Sequence, residues 1–186
     1  MKLPHRDTAN PAPISQNRRV TLLRRAAEDE DLDLLVRVVV VLALLFAPPL
    51  SRICQLTLDD LVEEDGRLNI RFGDPPTPIP EPFAELLRTF AVRRPNLTTA
   101  TDSGARRLFP GRRAGRPMDT STLAGRMRKN ELPTFRGRTA AIRQFVLQAP
   151  SPVIARMLGY HPEHITALAT EAGSPWSHYA PEDHAE

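Results

Sequence analysis

Lysine is almost missing from this chain. Of its 25 basic residues only Lys2 and Lys129 are lysines, so no ammonium group between them can serve as a general acid. Cysteine occurs once, at Cys54, which excludes an intrachain disulfide framework and any metal site built on several thiolates, and fits a reducing cytoplasm. Long apolar runs are scarce as well. The run 38–47 falls short of the roughly 20 residues a membrane-spanning helix needs, and Pro48-Pro49 ends it. A buried core helix is predicted there, and no membrane partner. Residues 1–17 are polar and contain no apolar segment, so no secretory signal is expected. Histidine offers little: His161 and His164 share one turn without an evident third ligand, so no metal or other cofactor is expected.

What is present is a chain of 186 residues with 41% hydrophobic and 25% charged content, enough to bury one core and close to globular averages. The formal charge is only +3, but the sequence pI is about 9.6. Arginine carries nearly all the positive charge, and its planar fork grips phosphate in two places, so an arginine-rich surface points to nucleic acid. A genome rich in G and C would produce the same arginine-to-lysine ratio. The 19 prolines cluster near positions 4–13, 75–82 and 150–152, where they divide the chain into segments.

Residues 1–15 read as a flexible arm, 16–180 as one domain and 181–186 as a tail. Ser15 is expected to cap a helix over 18–28, with Val20, Leu22 and Leu23 as its partial apolar stripe. The acidic turn 28–31 leads to the buried helix at 34–46, and Ser51 is expected to cap a short helix after the prolines. Leu56-Thr-Leu-Asp-Asp-Leu61 runs into an Asp65-Gly66 turn. Residues 67–72 alternate as a strand with Leu68, Ile70 and Phe72 on one face, and 77–80 follow as a proline-marked edge strand, together a small hairpin. Further helices are predicted at 81–91, 120–129, 138–147 and 152–158, with a polar loop at 93–106 and a Leu108-Phe109-Pro110 anchor before the basic segment 111–116. Helices around a small antiparallel hairpin make an α+β, mainly helical domain.

That order of elements resembles the catalytic domain of the tyrosine recombinases, the phage-integrase family. The resemblance is carried by the buried helix, the Leu56 to Leu61 turn, the hairpin, the Leu108-Phe-Pro-Gly111 anchor, the arginine helix opening at Phe135-Arg-Gly-Arg-Thr139, and the Leu158-Gly159-Tyr160 ending. It implies an integrase-like catalytic core, duplex DNA as partner, and assembly of several copies on DNA. It also implies that the family's separate N-terminal DNA-clamping domain is missing from this sequence. Members use a tyrosine to attack the scissile phosphate, with two arginines and usually a lysine and a histidine around the transition state.

Measured against that pattern, most of the chemistry is displaced. Counting back from Asp59-Asp60, Pro49 stands at the first arginine's position, and Arg52, three residues on, is the candidate substitute. No lysine lies on the hairpin. Gly137 holds the second arginine's position, flanked by Arg136 and Arg138. Tyr160 replaces the histidine of Leu-Gly-His. The only later tyrosine, Tyr179, is the candidate nucleophile, and a packed pair with Trp176 is the alternative role for it. Arg106, Arg107, Arg112, Arg113, Arg116, Arg136 and Arg138 are candidate phosphate contacts.

Four functions follow as expectations. The first is a degenerate, DNA-binding relative of the integrases. The second is an active integrase that uses Arg52, Arg138 and Tyr179. The third is a transcriptional regulator in which 154–168 forms a helix-turn-helix. The fourth is a helical interaction protein whose arginines are surface charge.

Overall fold

A computed structural model of the chain describes residues 14–94, 106–113, 115–132, 136–171 and 173, with the side chains of 136–140 excepted. Residues 1–13 of the N-terminal arm, most of the 93–106 loop, Trp176, Tyr179 and the tail therefore lie outside the described residues. Within them the chain is mainly helical with one small antiparallel sheet, as the sequence predicts.

The first helix, α1 (Gln16–Glu28), starts two residues earlier than expected, because Ser15 accepts the Arg18 amide at 3.2 Å and so fixes the boundary. Its inner face is Leu22, Ala26 and, unexpectedly, Arg19, whereas Val20 is exposed. Arg19 donates Nε to the Leu44 carbonyl at 2.8 Å, at the end of helix α2 (Leu34–Leu45). Arg37 of α2 returns the gesture, donating to the Ala26 and Ala27 carbonyls at the end of α1. Two guanidinium groups thus satisfy carbonyls at two helix C-termini, where positive charge suits the dipole.

Helix α2 is buried nearly all round, as a ten-residue apolar run requires, and α1 packs on it. Asp33 caps it by accepting the Leu35 amide at 2.9 Å. The next helix, α3 (Leu50–Gln55), begins at Pro49 and not at a Ser51 cap: Pro49 holds an extended ψ and its carbonyl accepts the Arg52 and Ile53 amides, leaving Ser51 exposed inside the helix.

The sheet has one strand more than expected. β1 (Leu61–Glu64) pairs with β2 (Arg67–Ile70), which pairs with β3 (Thr77–Pro78), all antiparallel in the order β1-β2-β3. Asp65 and Gly66 join β1 to β2 at φ 51° and 73°, the left-handed pair that a two-residue hairpin turn demands. Leu68, Ile70 and Phe72 are all buried as expected, although ladder pairing stops at Ile70. Helix α4 (Phe83–Arg93) sits two residues later than predicted, with Pro82 at its start. The remaining helices are α5 (Thr120–Lys129), α6 (Arg136–Gln148), α7 (Ser151–Leu158) and α8 (Pro162–Glu171). α3, α4, α5 and α6 also pack on α2, so one core runs through the domain and removing a buried leucine from it, such as Leu42, is worth about 2–5 kcal/mol. No described helix is long and apolar enough to cross a membrane.

Candidate functional site

Three segments meet where α3, the end of β2 and the end of α7 converge. Arg52, half-buried on α3, donates Nη2 to the Phe72 carbonyl at 3.1 Å. One residue further, Gly73 lies so close to α7 that a Cβ there would stand 1.9 Å from the Arg156 carbonyl oxygen. Reciprocally, a Cβ on Gly159 would stand 2.5 Å from the Phe72 carbonyl oxygen. Gly159 ends α7 at φ 66°, which glycine adopts without steric penalty. The Asp74 amide donates to the Arg156 carbonyl at 3.2 Å, and the Arg156 guanidinium meets the Asp74 carboxylate at 3.0 Å on the surface.

Tyr160 follows Gly159 directly. Its hydroxyl donates to the carbonyl of Ala47, in the link between α2 and α3, and its ring lies 5.8 Å from that of His164. The link, α3, the hairpin and α7 are therefore stitched into one seam. Arg52, three residues after the resemblance's first-arginine position, and Tyr160, at its histidine position, both direct hydrogen bonds to main-chain carbonyls there.

The arginines of the middle segment fall into two groups. Arg106 forms a two-pronged ion pair with Asp59, Nε to Oδ2 at 2.6 Å, and Arg107 donates to the Gln55 carbonyl at 3.0 Å. Together with the Leu108 amide on the Leu56 carbonyl at 2.8 Å, they fasten this segment to the end of α3. Arg112, Arg113 and Arg116 are different: all three are exposed and make no side-chain hydrogen bond or ion pair among the described residues. They line an open cavity of about 780 Å³ with Arg126 of α5 and a single carboxylate, Asp119. That carboxylate caps α5, and its bonds from the Ser121 hydroxyl and amide hold it below the usual range.

Arg136 and Arg138 stand in the first turn of α6, on backbone that is described, while their side chains lie outside the description, as does Tyr179. Sequence reasoning passed over Arg126 and Arg143. The first lies seven residues after the Asp119 cap, two helical turns along α5. The second ties α6 to α8 through Glu171 at 3.2 Å.

For the helix-turn-helix reading, α7, Gly159 and α8 give the expected helical pair. The α8 surface carries Glu163, His164, Thr166, Thr170 and Glu171, and no lysine or arginine follows Arg156 anywhere in the sequence. A reading helix of that composition lacks a phosphate grip of its own.

No family model and no curated protein matches the sequence. Solved structures do. The chain is similar to XerA recombinase at 17% identity and TM-score 0.57, covering 92% of this chain and 62% of that one. It is similar to XerH site-specific recombinase, bound to the palindromic difH substrate in a post-cleavage complex, at 13% identity and TM-score 0.62, covering 89% of this chain and 53% of that one. A lambda integrase dimer bound to a COC' core site matches at 15% identity and TM-score 0.51, covering 94% and 62%. The fold is therefore recombinase-like, and the chain spans less than two thirds of the length of these structures.

Proposed function

We propose that this protein is a recombinase-like DNA-binding protein that grips duplex DNA through its arginines and does not cut it. The observation that carries this reading is the seam: Arg52 and Tyr160 spend donors on the Phe72 and Ala47 carbonyls, and the neighbouring hairpin has no lysine. A strand-cleaving site needs preorganised donors aimed at the phosphate and a proton for the leaving hydroxyl. Losing a general acid alone costs about 10²- to 10⁴-fold. Sharing a fold with DNA-bound recombinases supports duplex DNA as the partner, with copies of the chain assembling on it in the cytoplasm. Arg136 and Arg138 add to the reading, since arginines at a helix N-terminus oppose its dipole and an anion relieves that opposition.

The test is binding of the purified chain to labelled duplex across a salt series, with a suicide substrate alongside to trap a covalent tyrosyl-phosphate. A steep salt slope without adduct is the expected result. An adduct that disappears in Tyr179→Phe would make the protein an active integrase and overturn the non-cleaving part. Absence of binding at low salt would overturn the DNA-binding part.

A further inference from the structure

We infer that Arg112, Arg113 and Arg116, between the Phe109 anchor and Met118, form with Arg126 of α5 a phosphate clamp that seats a stretch of duplex DNA backbone, separate from the seam of α3, the hairpin and α7. The inference rests on the DNA-binding reading and narrows it to one surface, with Arg112, Arg113, Arg116 and Arg126 as its contacts and with Arg106 and Arg107 excluded from it.

The mount is rigid. Leu108 and Phe109 are fully buried, and the Phe109 ring packs 5.2 Å from that of Phe90. The loop is closed at its base by the Met118 amide on the Phe109 carbonyl at 2.9 Å and the Gly111 amide on the Arg116 carbonyl at 2.8 Å. A Cβ on Gly111 would stand 2.6 Å from the Pro117 carbonyl oxygen, so the two arms of the loop touch through the space a side chain would fill. Arginines carried on such a base lose little further entropy when they bind, beyond that of their own side chains.

Positive charge is in excess here. Four guanidinium groups face a cavity of about 780 Å³ that holds one carboxylate. That carboxylate, Asp119, is already engaged by Ser121. Among the described residues the Arg126 guanidinium has one surface ion pair, with Asp33 at 3.7 Å, which an incoming phosphate can replace at little cost. The cavity is many times the size of one phosphate, so it suits a polyanionic backbone better than a single small ion.

The test compares the wild-type chain with the triple variant Arg112→Gln, Arg113→Gln, Arg116→Gln and with a charge-matched control, Arg18→Gln, Arg24→Gln, Arg67→Gln, whose three arginines are also exposed. Each phosphate contact contributes about 0.9 to the slope of log K against log salt, so the clamp variant is expected to lose up to about 2.7 of slope and the control much less. Equal slopes in clamp variant and wild type, or an equal loss in the control, would overturn the clamp and leave DNA binding standing. No duplex binding by the wild type would overturn both. Inorganic tripolyphosphate provides the remaining arm: if it raises the melting temperature of the wild type but not of the clamp variant, while the duplex fails to bind, the cavity is a small-anion site and the DNA clamp is wrong. Unchanged melting temperatures of the free variants would show that both remain folded.

Discussion

Replacing Gly159 by alanine separates two costs that the fold places on one atom. The first is conformational: at φ 66° an L-residue pays about 1–2 kcal/mol for left-handed backbone. The second is contact, because the new Cβ would lie 2.5 Å from the Phe72 carbonyl oxygen, which is main chain and cannot swing away. Forcing the seam open to admit it costs about 1–3 kcal/mol more, in the range of overpacked interiors. Gly66 isolates the first cost, since it has nearly the same φ, 73°, and nothing within 4 Å of its Cβ position. At about 3 °C of melting temperature per kcal/mol for a domain of this size, Gly66→Ala is expected to lower it by about 3–6 °C and Gly159→Ala by about 6–15 °C. Thermal unfolding followed by circular dichroism reads both. Equal drops in the two variants would mean that the end of α7 does not rest on the hairpin, and the seam described above would be wrong.

Three other outcomes follow from the same geometry. Tyr160→Phe removes the donor to the Ala47 carbonyl, which is fully buried, and should cost about 1–3 kcal/mol by denaturant titration; an unchanged midpoint would place the hydroxyl elsewhere. Cys54 is buried, and that burial, followed by the charge of Asp119, pushes its thiol up to about 11, so a disulfide reagent near pH 8 should leave it untouched until the chain is unfolded; fast labelling of the native protein would contradict this. The bonds from Ser121 depress the Asp119 carboxyl, so its contribution to stability is present above the ordinary aspartate range near pH ~4 and is lost as pH falls through the lower folded value. Asp119→Asn should flatten the acid limb of the stability curve in that window, and an identical pH dependence in the variant would show that the cap does not hold.

Much of the architecture was legible because it depends on local patterns. The apolar run of α2, the alternation of Leu68, Ile70 and Phe72, and the Asp65-Gly66 turn each announce themselves within a few residues. β1 did not, because Leu61 and Val62 are only half-buried and Glu63 and Glu64 are exposed, so no period marks it; pairing with β2 makes it a strand. The Ser51 cap failed for a related reason, since Pro49 already supplied the helix start with its fixed φ. At the site, the sequence offered Arg52 as a candidate and marked Tyr160 only as the residue standing in the histidine's place. It could not say that their partners are the carbonyls of Phe72 and Ala47, since those meetings depend on how distant segments pack. Nor did anything local distinguish Arg106, tied to Asp59, from Arg112, which has no side-chain partner among the described residues.

The seam has a lopsided tolerance to mutation. Its acceptors at Ala47, Phe72 and Arg156 are main-chain oxygens, which every amino acid carries, so exchanging those side chains leaves the acceptors in place. Its side-chain donors and clearances belong to particular residues: the guanidinium of Arg52, the phenol of Tyr160, and the missing Cβ atoms of Gly73 and Gly159. A deep mutational scan should therefore show those four as intolerant beside a permissive Arg156, whereas Ala47 and Phe72 are constrained by their burial in the core and not by the acceptors they supply.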